Sequence, residues 1–236
     1  MNEKCEENLQ YKGNDPGATR FGNFINYYQF NPPLNRIKNL PRDQWPDIKK
    51  RSLVGLDLGC NAGDLTIQLY KFLKEIYPDI NLNLIGIDID PTLIQRAVDS
   101  NEFPNNISYI NLDFMNKKSS ESSLNHEKFD FVFCFSITMW IHLNNGDSGL
   151  VNFIKDICQI AELILIEPQP WKCYKTAVRR MKRSCNEEFP LFSQLKIRNN
   201  VDDYILDLIK QEGFHQIFET LNSEWGRKII LFHKKR

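Results

Sequence analysis

The sequence lacks any apolar run close to the roughly 20 residues that a membrane-spanning helix needs. It also lacks net charge, because its 30 Lys and Arg residues equal its 30 Asp and Glu residues. Its first ten residues are polar and acidic, unlike a signal or transit peptide. These absences argue against a membrane protein, and they leave any affinity for polyanions to local clusters of basic side chains.

Cysteine is sparse, with six residues and no CxxC pair, and no internal repeat is present. We interpret the cysteines as free thiols in a reducing compartment, and we expect no metal site. The cytoplasm is the expected location, with the nucleus as an alternative. A hydrophobic fraction of 42% in 236 residues predicts a single domain over residues 19–236, after a mobile leader at 1–18. Residues 19–50 are predicted to form an irregular flank that covers the site, and we expect a monomer.

A regular pattern begins at Leu53. Short apolar runs predict strands at Leu53–Leu58, Leu82–Ile87, Ile107–Leu112, Phe129–Phe135, Leu163–Ile166, Phe214–Thr220 and Lys228–His233. Helical spacing predicts helices at Asp64–Tyr77, Pro91–Ser100, Gly149–Glu162 and Val201–Gln211. Because strands and helices alternate, we expect an α/β fold with a parallel sheet covered on both faces.

A glycine turn, Asp57-Leu-Gly-Cys-Asn-Ala-Gly63, joins the first strand to the first helix. Gly59 and Gly63 allow the backbone to turn tightly and to approach a ligand closely. The turn lies at the carboxyl end of a strand, where open α/β sheets bind ligands. Its spacing is not GxGxxG, which disfavours a dinucleotide site.

Acidic residues end the next two predicted strands. The carboxylate of Asp88 is placed to accept hydrogen bonds from both hydroxyls of a ribose. Asp113 can accept a hydrogen bond from the amino group of an adenine, and Phe114 can pack on the adenine ring. Each feature has a simpler interpretation, since a lone Asp at a strand end is usually a helix cap. In this order, the three features resemble a class I S-adenosylmethionine-dependent methyltransferase. That resemblance implies a Rossmann-like, mostly parallel seven-stranded sheet with helices on both faces.

Further segments narrow the resemblance. Three of them are similar to the bicoid-interacting protein family of RNA methyltransferases: Phe21–Tyr28, Ser136–Leu143 with Asn145–Gly149, and Glu167–Trp171. Two more resemble its branch of BCDIN-domain-containing RNA 5′-monophosphate methyltransferases: Leu112–Asn116 and Pro170–Tyr174. The resemblance implies S-adenosylmethionine as the methyl donor and a small RNA with a 5′-monophosphate as the acceptor. Histidine tRNA and microRNA precursors are the substrates that this branch implies.

The same resemblance implies roles for individual residues. Arg36 is expected to meet the methionine carboxylate of the donor. The full predicted cofactor-binding set is Arg36, Gly59, Asn61, Gly63, Asp88, Asp113, Phe114 and Phe135. The predicted catalytic residues are Tyr27, His142 and Lys175. The predicted substrate-binding residues are Tyr28, Gln169, Trp171, Lys172 and Arg179.

Several of these residues have a structural alternative. Asn61 either reaches the cofactor through its amide or is a turn residue in the left-handed region. His142 either hydrogen-bonds the phosphate and tunes its protonation or is a buried structural histidine. Trp171 either stacks on the terminal base or packs in the core. Glu167 either orients its neighbours or only caps the end of its strand.

Six basic residues and no acidic residue lie between positions 172 and 183. On a helix, one face carries four of them, which we call the basic stripe: Lys172, Lys175, Arg179 and Lys182. The stripe predicts contacts with RNA phosphates, which give affinity without reading sequence. The alternative is a solvated helix face, and the outer residues Arg180 and Arg183 fit that description.

Two other functions stay open at this point. One is a methyltransferase for a small molecule or a protein, although such an acceptor needs neither the basic stripe nor the aromatic flank. The other is an RNA-binding protein that shields 5′ ends without turnover, which the intact cofactor residues disfavour. The sequence therefore predicts an RNA 5′-phosphate methyltransferase.

Overall fold

The computed structural model describes residues 19–116, 124 and 128–235, so the leader predicted at 1–18 lies outside the described residues. The strands are β1 (Ser52–Leu58), β2 (Asn81–Asp88), β3 (Ile107–Asn111), β4 (Phe129–Phe135), β5 (Ala161–Glu167), β6 (Phe214–Glu219) and β7 (Ile230–Lys234). The helices are α1 (Tyr27–Phe30), α2 (Pro33–Asn39), α3 (Asp64–Ile76), α4 (Pro91–Asp99), α5 (Thr138–Ile160), α6 (Trp171–Cys185) and α7 (Val201–Gln211).

These strands form one seven-stranded sheet in the order β3-β2-β1-β4-β5-β7-β6. Strands β1 to β5 pair in parallel, and β7 runs antiparallel to both of its neighbours. The predicted mostly parallel α/β fold is confirmed. The chain order of the strands reverses between β1 and β4, and in open sheets ligands bind beside the carboxyl ends of the strands at such a reversal.

Both faces of the sheet are buried, as expected for parallel strands covered by helices. Because side chains alternate along a strand, β4 sends Val132 and Cys134 into one hydrophobic cluster. The same strand sends Phe131 and Phe133 into the cluster on the opposite face. The apolar run Phe131–Phe135 within β4 therefore fills two cores at once.

Helix α5 begins at Thr138, well before the start predicted at Gly149. Gly146, with φ 72° and ψ −174°, breaks the helical geometry inside this element and kinks it. The buried residues keep their helical spacing across the kink, with Met139 and Leu143 before it and Leu150 and Phe153 after it. The prediction began only at Gly149 because the polar run Asn144-Asn-Gly-Asp-Ser148, of low helix propensity, interrupts the apolar pattern.

The flank that precedes β1 packs against the sheet through Trp45. Its ring centroid lies 5.4 Å from that of Phe72, 6.1 Å from that of Phe131 and 5.7 Å from that of Phe218. Its Nε1 donates to the carbonyl of Pro41 at 2.7 Å. Residues 41–50 are thereby tied to one face of the sheet.

Among the described residues, no helix combines the length and apolar character that a membrane crossing requires. Four cysteines with described side chains are free thiols: Cys60, Cys134, Cys158 and Cys173.

Replacing Trp45 by Ala is expected to lower the free energy of unfolding by about 2–3 kcal/mol. This is below the usual cost for a fully buried aromatic, because Trp45 is only half-buried. Urea denaturation followed by circular dichroism measures the change. Leu221→Ala is the control, since its side chain is 88% exposed, and it is expected to cost less than about 0.5 kcal/mol. Equal losses in the two variants would show that Trp45 does not anchor the flank.

Candidate active site

The glycine turn after β1 is a chain of left-handed residues. Gly59 has φ 74°, Asn61 φ 53° and Gly63 φ 82°. A Cβ on Gly63 would lie 2.5 Å from the hydroxyl oxygen of Tyr109, so no side chain fits there. The backbone N–H of Gly59 donates to the carbonyl of Ile87 at 2.9 Å, which joins the turn to β2. Gly63 therefore serves the turn and its packing.

Of its two predicted alternatives, Asn61 shows the turn residue in the left-handed region. Its side-chain amide is engaged within the chain, because Nδ2 donates to the carbonyl of Phe24 at 3.0 Å. Its backbone N–H donates to a carboxylate oxygen of Asp88 at 2.9 Å. Asn61 thus connects the glycine turn, the end of β2 and the flank.

The carboxylate of Asp88 is fixed by two backbone N–H groups at the end of β2. Besides the bond from Asn61, it accepts from the N–H of Asp90 at 3.0 Å. Burial raises the pKa of Asp88 to about 6, although these N–H groups act in the opposite direction. The helix cap proposed as the simpler interpretation falls instead to Asp90, which accepts from the N–H of Thr92 at the start of α4.

A cavity of about 320 Å³, here cavity 1, lies over the carboxyl ends of the parallel strands. Its walls contain seven of the predicted cofactor residues: Arg36, Gly59, Asn61, Asp88, Asp113, Phe114 and Phe135. Gly63, the eighth, is not part of the wall. Three carboxylates, those of Asp57, Asp88 and Asp113, face it as hydrogen-bond acceptors among apolar side chains. This set of acceptors fits a nucleoside, whose hydroxyls and amino group donate and whose base is apolar on both faces.

A buried ion pair joins Arg36, which lines cavity 1, to the end of β5. Arg36 in α2 is 1% exposed, and Glu167 at the end of β5 is fully buried. The Nε and Nη2 of Arg36 donate to the two carboxylate oxygens of Glu167 at 3.2 and 2.9 Å. Burial opposes the charge of Glu167, but Arg36 and Arg227 hold the pKa of its carboxyl below the ordinary value. Of the two alternatives for Glu167, the geometry favours orientation of its neighbours.

Several side chains converge on this ion pair. Ser136 is brought beside Glu167 by strand register, because the preceding residue, Phe135, is paired with Glu167. Its hydroxyl contacts the carboxylate directly. Trp225 donates its Nε1 to Glu167 at 3.1 Å, and Tyr27 accepts from Arg36 at 2.9 Å.

A second cavity of about 490 Å³, here cavity 2, shares three wall residues with cavity 1: Tyr27, Ser136 and Trp140. Its wall carries three cations, which are Lys172, Arg180 and Arg227. No carboxylate is present among its described wall residues. Cavity 1 thus presents carboxylates, and the neighbouring cavity 2 presents positive charge.

Only some of the predicted substrate-binding and catalytic residues line a cavity. Tyr27 lines both cavities, Tyr28 lines cavity 1, and Gln169 and Lys172 line cavity 2. The side chain of Gln169 is engaged, because its oxygen accepts from the Thr138 hydroxyl at 2.9 Å and its nitrogen donates to the Ser136 carbonyl at 2.5 Å. Gln169 therefore holds the start of α5 and the left-handed Ser136, rather than presenting a free amide.

His142 lines neither cavity, so a direct catalytic role finds no support in the geometry. Its Nδ1 lies 3.2 Å from the hydroxyl of Tyr174 and its Nε2 lies 2.8 Å from a carboxylate oxygen of Asp147. Burial lowers the pKa of His142, which favours the neutral ring. Asp147 also accepts from the backbone N–H of Lys196 at 2.8 Å, so this histidine belongs to a structural network.

Trp171, Lys175 and Arg179 also lie outside both cavities. The ring of Trp171 stacks on Phe192 at 5.4 Å with an interplanar angle of 11°, so its packing alternative is the one observed. Lys175 and Arg179 are exposed on α6. They have no described contact with the proposed reaction centre, and the predicted catalytic role of Lys175 has no geometric support.

The sequence analysis does not predict two residues that the structure places at the site. Ser136 begins the family-like segment Ser136–Leu143, but the resemblance gives it no role. Arg227 lies in the turn between β6 and β7, far from the other motifs in sequence. The one sequence feature that could have indicated Arg227 is Trp225-Gly226-Arg227, in which an aromatic residue and a glycine precede a cation in the polar segment between two predicted strands.

Comparisons with known proteins agree with this geometry. Residues 129–234 match the family model of Bicoid-interacting protein 3 (Bin3), and residues 56–159 match a methyltransferase domain model. The Bradyrhizobium japonicum N-methyltransferase NodS, solved with S-adenosyl-L-homocysteine, superposes over 99% of this chain and 98% of its own, with a TM-score of 0.56 and 12% identity. The fold and cavity 1 define an S-adenosylmethionine-dependent methyltransferase.

Two relatives specify the family. The Xenopus laevis pre-miRNA 5′-monophosphate methyltransferase is 40% identical over 94% of this chain and 95% of its own length. The human RNA 5′-monophosphate methyltransferase is 38% identical over 94% of this chain and 82% of its own length. The chain belongs to the Bin3-type family of RNA 5′-monophosphate methyltransferases.

Donor affinity is expected to fall as the pH drops through about 6, because Asp88 loses the charge that ribose hydroxyls would bond. Asp88→Asn is expected to weaken S-adenosylmethionine binding at least tenfold at pH 8 and to flatten this pH dependence. Titration calorimetry between pH 5 and pH 8 measures both effects, with Asp99→Asn on the exposed side of α4 as the control. A slope that survives in Asp88→Asn would assign the titration to Asp57, whose pKa burial also raises to about 6.

Proposed function

We propose that this chain methylates the 5′-phosphate of small RNAs that end in a monophosphate, with histidine tRNA and microRNA precursors as candidate substrates. Its family and the names of its relatives support the reaction. The observation that carries the choice of acceptor is cavity 2, which has three cations, no described carboxylate and a shared boundary with cavity 1. A monomer in the cytoplasm is part of the proposal.

Cavity 1 is proposed to hold the donor. Asp88 would bind the ribose, and Asp113 with Phe114 would bind the adenine. Arg36 lines cavity 1, and its Nη1 has one described hydrogen bond, a 3.4 Å contact with the carbonyl of Asn31. Its other nitrogens are engaged by Glu167, so the methionine carboxylate has only this end of the guanidinium to meet. When bound, S-adenosylmethionine supplies a methyl group on a sulfonium.

The acceptor needs no strong general base. A phosphate monoester loses its second proton near pH ~6, so its oxygen is already largely ionised at neutral pH. The oxygen forms a bond to the methyl carbon while the carbon–sulfur bond breaks, and no proton moves. This agrees with a site in which His142 is engaged elsewhere.

Positioning is then the main task of the protein, and alignment of two reactants can supply roughly 7–11 kcal/mol. Tyr27 is suited to this at the shared boundary, because its oxygen accepts from Arg36 and its proton is left to donate. Trp140 gives this boundary an apolar wall, and Phe135 adds a second aromatic ring on the side of cavity 1. Anion and sulfonium neutralise each other during transfer, so a drier site favours the reaction.

The basic stripe is proposed to guide the RNA body. The stripe begins with Lys172, which lines cavity 2, and continues with Lys175 and Arg179 along the exposed side of α6. Lys182, the last member, is exposed and is paired with Glu188 at 2.9 Å. The first three residues therefore carry the proposed contact.

Removal of the 5′-phosphate from the RNA is expected to abolish methyl acceptance, because the nucleophile is lost. Tritium transfer from labelled S-adenosylmethionine to one RNA with a 5′-phosphate or a 5′-hydroxyl measures this. Equal labelling of both RNAs would contradict the proposed acceptor. Donor binding without transfer to any RNA would favour a protein that shields 5′ ends, and labelling of non-RNA acceptors would favour a different methyltransferase.

The double substitution Lys175→Gln with Arg179→Gln is expected to weaken RNA binding and to reduce the slope of log affinity against log salt by about 1 per lost phosphate contact. Donor affinity should be unchanged, because neither residue lines a cavity. Fluorescence anisotropy at several salt concentrations measures the slope. Lys210→Gln on α7, an exposed lysine beside Asp207, is the matched control. A native slope in the double variant would show that the basic stripe is a solvated face.

A further inference from the structure

Arg227 has donors that the fold does not satisfy. It lies in the turn between β6 and β7, directly after Gly226 with φ 71°. Its Nη1 donates to the Ser136 hydroxyl at 2.6 Å, and its Nη2 meets only the Cys173 sulfur, at 3.7 Å. Its Nε is buried without a hydrogen-bond partner in the described part of the chain. A buried donor without an acceptor costs about 1–3 kcal/mol, so an acceptor from outside the chain would be favourable.

The charges around Arg227 are also unbalanced. Glu167 lies between two guanidiniums, with Arg36 at 2.9 Å and Arg227 at 3.7 Å from the same carboxylate oxygen. One carboxylate offsets one of the two cations, and the closer contact is with Arg36. A net positive charge is therefore left at the Arg227 end. Buried charge without compensation is costly, and an anion in cavity 2 would supply that compensation.

The surroundings of Arg227 fit a phosphate in particular. The ammonium of Lys172 packs on the same turn, since a Cβ on Gly226 would lie 2.7 Å from its Nζ. A guanidinium presents parallel N–H groups that match two oxygens of a phosphate, and a lysine adds a point charge. Both residues line cavity 2, and Ser136, which Arg227 contacts, lines cavity 1 as well. A phosphate bound there has an oxygen at the boundary of the two cavities.

We propose that Arg227 binds the 5′-terminal phosphate of the RNA through its Nε–H and an Nη–H, and thereby selects RNA ends that carry a phosphate. This inference rests on the proposed function, and it deepens it by naming the phosphate-binding residue. Glu167 contributes by offsetting Arg36, so that the phosphate meets one guanidinium charge instead of two. A moderate positive field holds the phosphate while leaving its oxygen nucleophilic.

The test compares two oligonucleotides of identical sequence, one with a 5′-phosphate and one with a 5′-hydroxyl. Their affinities are measured by anisotropy in the presence of S-adenosylhomocysteine. For the native chain, the 5′-phosphate is expected to improve affinity at least tenfold. Arg227→Gln is expected to reduce this ratio to below about twofold, and Arg227→Lys to leave an intermediate ratio, because the charge remains but the paired N–H geometry is lost. Lys228→Gln, at the next position and exposed beside Glu219, should keep the native ratio.

Thermal unfolding and donor affinity establish that each variant is folded, and both should match the native chain. The inference is overturned if a folded Arg227→Gln, or a folded Arg227→Lys where the first variant does not fold, keeps the full native ratio. Steady-state kinetics on the 5′-phosphate RNA should show at least a tenfold rise in KM for Arg227→Gln. If the native chain itself transfers no methyl to this RNA, the proposed function fails. If it does transfer and the ratio is insensitive to Arg227, only the present inference fails.

Discussion

The ion pair between Arg36 and Glu167 is the contact on which the site depends. It joins a helix that precedes the sheet to the end of a central strand, and it is shielded from solvent. Glu167 is the partner that cannot be spared, because its removal leaves the buried Arg36 guanidinium without compensation, at a cost of about 3–5 kcal/mol. Tyr27, Ser136 and Trp225 all take their positions from it. The wall between the two cavities is built around one carboxylate.

The two cavities differ in the charges of their walls. Cavity 1 has the carboxylates of Asp57, Asp88 and Asp113 beside the guanidiniums of Arg20 and Arg36, and burial raises the pKa of Asp57 and of Asp88. The described wall of cavity 2 has three cations and no carboxylate. The overall charge of the chain is zero and does not reveal this difference. Under the proposed function, the nucleoside would meet the carboxylates and the RNA phosphate would meet the cations.

The sequence was sufficient for the fold and for the glycine turn and acidic strand ends in the wall of cavity 1, because these are local patterns, whereas Arg36 and Phe135 came from the family resemblance. Strand periodicity, the glycine turn and the acidic ends of β2 and β3 are short patterns, and the sheet brings them together without further information. The role predicted for His142 has no geometric support, because its ring is held between Asp147 of its own helix and Tyr174 of α6, and the contact with α6 leaves no local pattern. Arg227 was missed because it reaches the site through the antiparallel return of β7, a long-range pairing that leaves no local pattern. The resemblance to a known family supplied the acceptor, which no periodicity reveals.

The kinked helix α5 serves the wall of cavity 1 and the core together. Its part before Gly146 supplies Trp140, Ile141 and Asn144 to the wall, and Met139 and Leu143 to the core. Phe153, after the kink, belongs to the core and to the same wall. Because wall and core residues share one helix, a substitution that reshapes the cavity here also disturbs a close-packed interior. The shape of the cavity can therefore diverge through α5 only together with the packing behind it.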